Sequence, residues 1–319
     1  MKDILLTIEL YATYGIARLK LMHYWGLHPS RITEFKKRVR ASECVPLKKK
    51  KQVFNLNTIM PAERDKVLSF ARQNACYFHR EMAWRMIDMN ITFLSPSSVY
   101  RILKKAGLIR EFKQKPRYAS VHNYSNHAGA PDELWQADIT YLRYRHKDVY
   151  QLSFIDVYSR FITLSTTLTD MSSATVSAIF NSFIEKNIIC LPRRPRLQTD
   201  NGSCFIADDF KSVLKRYYLE HARIRPGAPT ENAVIERWHK TFKELLAEYE
   251  PPAQFAELVL RTEQACYYYN YERYHKSLGY MTPYTFYRGD PQKIFKEREE
   301  KLAKAYIDRR YYNMSRSAV

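Results

Sequence analysis

Apolar residues recur at helical spacing through the first third of the chain. Between residues 3 and 40 the spacing predicts two helices, and the face of the first carries Ile16, Leu19, Leu21, Tyr24 and Trp25. Gly26 interrupts the pattern, and Pro29 and Ser30 open a second helix that runs from Arg31 to Arg40. The second helix is strongly basic, and its cations include Arg31, Lys36 and Lys37.

A second group of helical patterns follows between residues 58 and 110. One helix begins at Pro61, another runs from Arg80 to Met89, and a third begins at Pro96 with Ser95 as its cap. The third helix has an apolar stripe made of Val99, Ile102 and Leu103. Its outward face carries Ser97, Ser98, Arg101, Lys104 and Lys105. Small hydroxyl side chains ahead of basic ones suit a helix that enters a major groove and contacts phosphates.

Both helical groups therefore fit helix-turn-helix DNA-binding units, one within residues 1–57 and one within 58–110. A plain helical hairpin with a solvated basic face fits the first pattern as well. Residues 41–57 form a basic linker at the end of the first unit, since a run of lysines from Lys48 to Lys51 repels itself. Residues 111–132 contain almost no large aliphatic side chains, so we predict a second linker there.

The hydrophobic pattern changes from a helical to a strand period at Leu134. Three β-rich runs, at 135–144, 149–157 and 161–167, predict an antiparallel meander. A helix capped by Ser172 or Ser173, a short strand that ends at Asp200, and further alternating helices and strands follow. Three antiparallel strands followed by αβαβα are the ribonuclease H-like arrangement. We predict an α/β fold over residues 133–250, with a mixed five-stranded sheet flanked by helices, and a helical, basic, Tyr-rich extension over 251–319.

Composition narrows the choice of partner. The 319 residues carry a net charge of +19, which favours a polyanionic partner, with nucleic acid first and an anionic membrane surface second. A protein that is merely basic is the remaining alternative. No apolar run approaches the roughly 20 residues of a membrane span. Acids within the first ten residues argue against a signal peptide.

Cysteine usage favours a reducing compartment. The 5 cysteines are scattered and form no Cys-x-x-Cys pair, so we expect reduced core thiols in a cytoplasmic protein. Cys76 and His79 stand three residues apart on a predicted helix. No second ligand pair lies nearby, so a zinc site there is not expected. A strongly basic protein in that compartment is expected to associate with chromosomal DNA.

Three acids in the α/β region are candidates for chemistry, although each has an ordinary explanation. Asp138 could be a solvated strand residue, Asp200 could belong to a simple Asp-Asn-Gly turn, and Glu236 could face the dipole of its helix. Together they are harder to explain in that way. Asp138 interrupts an apolar and aromatic strand, where an unpaired charge is costly. In a ribonuclease H-like sheet the first and fourth strands are neighbours, so Asp138 and Asp200 would lie side by side.

A cluster of three carboxylates predicts a metal site. Carboxylates repel one another unless cations lie between them, and hard oxygen ligands favour Mg²⁺ or Mn²⁺. Two such ions, about 3.5–4 Å apart, would activate an attacking oxygen and stabilise a leaving one in phosphoryl transfer. The attacking group would be water or a DNA 3′-hydroxyl, without a nucleophilic side chain.

The helix that carries Glu236 also carries candidate DNA contacts. Lys240 and Lys243 stand four and seven residues after Glu236 and share its helical face, and Arg237 and His239 flank them. This arrangement suits a scissile phosphate and its neighbours. A solvated Glu–Lys pair is the ordinary alternative.

Several ordered motifs resemble the integrase core of bacterial insertion-sequence transposases, which are relatives of retroviral integrase. They are Trp-Gln-Ala-Asp-Ile-Thr-Tyr at 135–141, Phe-Ile-Asp-Val-Tyr-Ser-Arg at 154–160, Thr-Asp-Asn-Gly at 199–202, Arg-Pro-Gly-Ala-Pro with Asn-Ala-Val-Ile-Glu at 225–236, and Tyr-Asn-Tyr-Glu-Arg-Tyr-His at 269–275 before Thr282 and Pro283. The 35 residues between Asp200 and Glu236 match the spacing of that family's Asp-Asp-Glu triad. The resemblance covers roughly residues 60–290, including helix-turn-helix modules that often precede this core.

The resemblance implies a ribonuclease H-like fold, a two-metal site, processing of donor DNA ends, strand transfer into target DNA, and action as an oligomer on paired ends. It implies that Asp138, Asp200 and Glu236 are the catalytic and metal-binding triad, and that Asn201 and Gly202 shape the site. The zinc-binding His-His-Cys-Cys pattern of the retroviral relatives does not occur in this sequence. Glu231 is not expected to be a ligand, and Asp156 is expected to be structural.

Three functions remain open at this point. The first is a Mg²⁺- or Mn²⁺-dependent polynucleotidyl transferase, a DNA transposase that binds the terminal repeats of its element and a target duplex. The second is a catalytically inactive DNA-binding regulator derived from such an enzyme. The third is a metal-dependent nuclease of the same fold that cuts DNA without joining it.

Overall fold

The computed structural model describes residues 2–40 apart from 16 and 25, and residues 55–109, 128–145, 147–225 and 229–317. The chain divides into two compact units, one of Met1–Leu56 with Asn313–Val319 and one of Asn57–Tyr312. Most of both predicted linkers, 41–57 and 111–132, lies outside the described residues. The domain boundaries predicted from the sequence therefore stay predictions.

Over the described part of residues 2–40, the first unit contains three helices where the sequence predicted two. They are α1 (Lys2–Thr13), α2 (Arg18–Tyr24) and α3 (Pro29–Arg40). The prediction was wrong because Gly15 takes a φ of +80° and separates α1 from α2, as Gly26 at +60° separates α2 from α3. Ile8 and Ile32 are buried, whereas Leu19 and Tyr24, predicted to share an apolar face, are exposed.

The second unit begins with a bundle of three helices, α4 (Pro61–Gln73), α5 (His79–Asp88) and α6 (Pro96–Lys105). The predicted start of α6 is confirmed, since Pro96 is its first residue and the Ser95 hydroxyl accepts a hydrogen bond from the Ser98 N–H at 3.3 Å. The predicted stripe of α6 is buried against Val67 and Phe70 of α4 and three residues of α5, Met82, Ala83 and Met86. The opposite face of α6 stays available to solvent.

A mixed sheet of 5 strands follows the bundle, in the order β3-β2-β1-β4-β5. Its strands are β1 (Leu134–Tyr144), β2 (Lys147–Asp156), β3 (Ile162–Leu168), β4 (Arg196–Thr199) and β5 (His221–Arg223). The first three are antiparallel, β4 runs parallel to β1, and β5 runs parallel to β4. This is the ribonuclease H-like topology, so the predicted fold class is confirmed.

Helices cover both faces of the sheet. On one face lie α7 (Ser173–Asn187), α8 (Ser203–Ile206) and α9 (Asp208–Arg216), and on the other lie α10 (Ala233–Leu246) and α11 (Phe255–Tyr267). Because strand side chains alternate, Trp135 and Ala137 of β1 pack with α7 to α9, whereas Leu142 packs with α10 and α11. Asp138 shares the parity of Leu142 and so lies on the α10 side.

The region 251–319, predicted as a helical extension, contains α11 on the sheet and then two further helices, α12 (Pro283–Arg288) and α13 (Pro291–Ser317). In α13 the Arg298 guanidinium donates to both Asp88 oxygens at 2.8 and 2.7 Å, and it is 2% exposed. The Arg309 guanidinium binds both oxygens of Glu63 at 3.0 and 2.9 Å. The extension is therefore bonded to α5 and α4 of the bundle. Among the helices that the structure describes, none is both long and apolar enough to cross a membrane.

Candidate active site

Asp138 and Asp200 lie side by side on the neighbouring strands β1 and β4, at the point where β4 ends. The parallel pairing of β1 and β4 aligns Ala137 with Thr199, and each acid is the residue that comes next. Asp138 continues in β1, opposite Ser153 of β2, whereas the chain turns away from the sheet at Asp200. The pairing therefore brings together two of the three acids predicted as a triad.

A tight turn fixes the carboxylate of Asp200. Its Oδ1 accepts a hydrogen bond from the Gly202 N–H at 2.9 Å, and its main-chain carbonyl accepts one from the Thr199 hydroxyl at 2.8 Å. The Asn201 side chain donates to the Ile224 carbonyl at 3.1 Å, so it ties the turn to the end of β5. A Cβ atom on residue 202 would lie 2.9 Å from Asp200 Oδ1. The turn and the position of the carboxylate therefore depend on each other.

Three polar contacts seat α10 across these strands. The Gln136 side chain accepts from the Ile235 N–H at 3.2 Å and donates to the Glu231 carbonyl at 2.7 Å. The indole N–H of Trp238 donates to the Ser153 hydroxyl at 3.1 Å, and Ser153 is the β2 partner of Asp138. Glu236, in the first turn of α10, is thereby held on the Asp138 side of the sheet.

The charges of the three acids interact. Burial raises the pKa of Asp200, the Gly202 N–H opposes that shift, and the charge of Asp138 adds to it. Burial also raises the pKa of Glu236, the Asp138 charge raises it further, and His239 lowers it. Burial, with the charges of Asp200 and Asp138, raises the pKa of the Cys204 thiol to about 11, so this thiol is not a nucleophile. Asp138 is thus the common neighbour of the other two acids.

Among the residues of α10 predicted to contact DNA, His239 has a buried side chain, although it lines the same groove as Lys240 and Lys243. It was predicted as a DNA contact, but it is buried, and its Nδ1 lies 3.3 Å from Asp138 Oδ2. Its Nε2 is buried without a hydrogen-bond partner among the described residues. In the sequence His239 follows Trp238, but neither its residue type nor its spacing from the acids indicates that its side chain is buried.

The predicted lysines line a groove beside the acids. Lys240 and Lys243 share an open groove of about 590 Å³ with Glu236, Glu244 and Thr140. Both lysines are exposed, and neither forms an ion pair with another residue that the structure describes. Arg237 lies elsewhere on α10 and lines a separate cavity. The groove therefore presents two free cations next to Glu236.

The remaining predicted contacts lie on the helical units. In α6, Ser97, Arg101, Lys104 and Lys105 are exposed and Ser98 is half-buried. In α3, Arg31 and Lys37 are exposed, whereas the side chain of Lys36 is outside the described part of the chain. Their exposure is compatible with the DNA contacts predicted for them, which stay predictions.

Asp156 and Glu231, the two acids that were not expected to bind metal, form hydrogen bonds and an ion pair within the fold. Asp156 is buried at the end of β2 and accepts hydrogen bonds from the Ser159 N–H, the Ser159 hydroxyl and the Asp132 N–H at 2.7, 2.5 and 2.8 Å. Glu231 pairs with Arg225 at 2.7 Å. Both therefore hold local structure.

As the side chains are placed, the described residues contain no group of three or more acids, histidines or cysteines arranged to hold a metal ion. The donor set nevertheless fits a hard divalent cation. Three carboxylates come to one sheet edge, and the pKa of two of them is raised in part by Asp138, a repulsion that a cation between them would remove.

Several known proteins are similar in sequence to this part of the chain. The family described as "Integrase core domain" matches residues 128–229, and a second family of the same description matches residues 217–283. A transposase for insertion sequence element IS904 from Lactococcus lactis is 28% identical over 169 residues, which are 50% of this chain and 62% of that protein. A Gag-Pro-Pol polyprotein of human T-cell leukemia virus 3 is 25% identical over 134 residues, 42% of this chain and 9% of the polyprotein.

Among solved structures, the HTLV-2 integrase catalytic core domain in complex with magnesium is similar, at 18% identity and a TM-score of 0.42. It aligns over 51% of this chain and 100% of its own. The chain spans less than two thirds of the length of the transposase and of the polyprotein. Residues 128–283 therefore form an integrase core domain, which this chain shares with an insertion-sequence transposase and with a retroviral polyprotein.

Proposed function

We propose that this protein is a DNA transposase that cleaves the ends of its element and joins them to target DNA by phosphoryl transfer. The observation that carries the proposal is the meeting of Asp138, Asp200 and Glu236, from a strand, a strand end and a helix, beside a groove with two unpaired lysines. The relatives named for transposition and integration support the same class of reaction.

The three carboxylates are the proposed ligands for Mg²⁺ or Mn²⁺, with two ions as the proposed number. When bound, such ions would polarise the phosphate and stabilise both the attacking and the leaving oxygen. A magnesium complex of a similar integrase core supports this choice. His239 and the Ile139 N–H would orient the carboxylate of Asp138, and the Gly202 N–H would orient that of Asp200.

In the first step, water attacks a phosphodiester at the element end and the bond to the 3′ oxygen breaks. In the second step, that freed 3′-hydroxyl loses its proton and attacks a phosphodiester of the target. A new P–O bond forms, and the displaced target 3′ oxygen takes up a proton. Lys240 and Lys243 would neutralise phosphates on either side of the reacting one. Double-stranded element ends and target DNA are the proposed partners, and a homo-oligomer in the bacterial cytoplasm, associated with the nucleoid, is the proposed working form.

The test is a joining assay with labelled element-end DNA, a target plasmid and Mg²⁺ or Mn²⁺. Asp200→Asn removes a proposed ligand charge and should lower joining at least about a hundredfold while DNA binding stays near the wild-type level. Asp208→Asn is the matched control, because Asp208 is exposed on α9 and pairs only with Lys211 in the described structure.

The same assay separates the alternatives. Joined products support the transposase, cleavage without joining indicates a nuclease, and binding without either indicates a regulator. Full-rate joining by Asp200→Asn would show that the assignment of the triad is wrong.

A further inference from the structure

A second cavity lies on another side of α10 from the lysine groove. It has a volume of about 430 Å³, and its polar lining consists of Tyr158, Arg160, Arg237, Tyr269, His275 and Ser277. Two sequence motifs whose role the triad does not explain, at 154–160 and 269–275, meet there. Arg237, the residue after the proposed ligand Glu236, joins them. We refer to this site as the arginine cavity.

The turn after β2 presents Arg160 to the arginine cavity. Arg160 has a φ of +65°, a left-handed conformation that is strained for a residue with a side chain. The buried Asp156 maintains this turn, since its carbonyl accepts from the Arg160 N–H at 2.9 Å and its carboxylate accepts from the Ser159 N–H at 2.7 Å. A buried carboxylate thus supports a strained turn that carries an arginine, and the Nη1 of this arginine donates to the Val157 carbonyl at 2.6 Å while Arg160 also lines the cavity.

His275 brings a hydrogen-bond acceptor that has no donor. Burial above all, and then the charges of Arg273 and Arg160, lower its pKa to about 3, so the ring is neutral. One ring nitrogen donates to the Tyr269 carbonyl. The other, Nε2, is shielded from solvent and has no hydrogen-bond partner in the described structure. In a neutral imidazole this second nitrogen is an acceptor, so it lacks a donor.

The electrostatic field in the arginine cavity is positive. Tyr269, which forms part of its wall, is acted on by the charges of Arg160, Arg273 and Arg237. No carboxylate is among the described residues that line the cavity. Guanidinium groups bind phosphates through paired N–H donors, and the ring of Tyr158 can stack on a base. The cavity thus offers phosphate donors, an aromatic face and one acceptor for an amino or hydroxyl hydrogen.

We propose that the arginine cavity binds one nucleotide of the DNA strand next to the reacting phosphate. Arg160 and Arg237 hold its phosphate, Tyr158 stacks on its base, and His275 Nε2 accepts a hydrogen bond from the base or sugar. The choice of DNA as ligand rests on the proposed function. Because Arg237 follows Glu236 directly in α10, a strand lying over the acids reaches this cavity within a few nucleotides.

The first experiment measures the salt dependence of DNA affinity in the full-length protein. The logarithm of the DNA association constant falls linearly with the logarithm of salt concentration. Loss of one phosphate contact decreases the magnitude of that slope by about 0.9. We expect that decrease for Arg160→Gln and for Arg237→Gln. Arg216→Gln, an exposed arginine on α9 that bonds Asn181, should leave the slope unchanged. Equal slopes in the wild type and both cavity variants would overturn the proposal.

The second experiment locates the nucleotide. Abasic sites are placed one at a time along the element-end DNA, and affinity is measured for wild type, His275→Phe and His275→Gln. We expect one abasic position to weaken wild-type binding about tenfold and to have no further effect in His275→Phe. His275→Gln, which retains an acceptor, should recover part of the sensitivity. An abasic profile that is identical in all three proteins would overturn the role of His275.

Neither measurement requires catalysis, so both can be repeated in Asp200→Asn. A wild-type protein that binds DNA through the arginine cavity but joins no DNA would contradict the proposed function and leave the role of the cavity in place. If the wild type joins DNA and the cavity variants have unaltered slopes and abasic profiles, the proposed function is supported and the role of the cavity is overturned. Competition by a mononucleotide alone, without displacement by DNA, would show that the cavity serves a free ligand and would overturn the proposal.

Discussion

Gly202 shows how a single residue can control the candidate active site. Its N–H holds Asp200 Oδ1 at 2.9 Å, and a Cβ at this position would stand equally close to the same oxygen. In Gly202→Ala we expect the carboxylate to move and joining to fall about a hundredfold, since a small misplacement of a catalytic group costs that much. The melting temperature should change little, because the φ of −58° suits alanine.

Gly129→Ala is the control for that experiment, because its nearest neighbour would lie at an ordinary 3.5 Å. Joining by Gly202→Ala at the wild-type rate would mean that the turn does not position Asp200.

Asp156 should make stability depend on pH. Burial raises its pKa to about 6, the charge of Asp132 contributes, and the hydrogen bonds from Ser159 and Asp132 oppose the shift. Between the unfolded pKa of about 3.8 and this value the folded state holds the extra proton. Stability attributable to Asp156 is therefore greatest below pH 4 and falls by about 3 kcal/mol as the pH rises through 6.

Urea unfolding of wild type and Asp156→Asn between pH 4 and pH 7 measures this effect. The variant cannot titrate at residue 156, so its unfolding free energy should fall less with rising pH than that of the wild type. Parallel curves for the two proteins would show that Asp156 has an ordinary pKa in the folded state.

Single residues also show where sequence reasoning reaches its limit. Asp138, Asp200 and Glu236 could be selected because residue type and spacing carry their signal. The position of His239 could not, because its burial depends on how α10 lies on the sheet, which the Gln136 and Trp238 contacts determine. The same is true of His275, whose neighbours come from three separate segments.

At the scale of elements, the contacts of α13 predict how much one of its side chains contributes to stability. Arg298 binds Asp88 through two nitrogens, donates to the carbonyls of Gly279 and Tyr280 at 2.7 Å, and lies over the ring of Trp84. Arg298→Met leaves a largely buried carboxylate without its cation. We expect a loss of about 3 kcal/mol in the free energy of unfolding, measured with chemical denaturant.

Lys304→Met provides the comparison, because Lys304 is an exposed cation on the same helix. The double variant Asp88→Leu with Arg298→Met should recover part of the loss, since it removes the stranded charge. A single variant as stable as the wild type would show that the pair contributes nothing.

Local sequence patterns predicted helices and strands well where the hydrophobic residues follow a single period. The cap and proline at the start of α6, and the alternation in β1 to β3, are strictly local, and the structure confirms them. The N-terminal helices were miscounted because a break at Gly15 depends on one backbone angle. The docking of α13 against α4 and α5 had no local signal, since its partners lie 210 and 246 residues away.

At the scale of the whole molecule, the sheet order followed from the sequence of element types, and the charge of +19 pointed to a polyanion. What did not follow is that residues 57–312 form one compact unit. The bundle contacts the region after α11 as well, since Arg85 donates to the Glu272 carbonyl at 2.7 Å and the Tyr274 hydroxyl donates to Asp88 at 2.8 Å. Such contacts arise from tertiary packing and are invisible to periodicity.

The two arginines of α13 also determine when the helical bundle becomes fully stable during synthesis. Glu63 and Asp88 leave the ribosome more than 200 residues ahead of Arg309 and Arg298, so the helical bundle exists for most of translation without the cations that its acids require. The bundle reaches its final stability only when α13 has been made. A nascent chain therefore completes its N-terminal bundle only after the sheet and the helices that cover it have been synthesised.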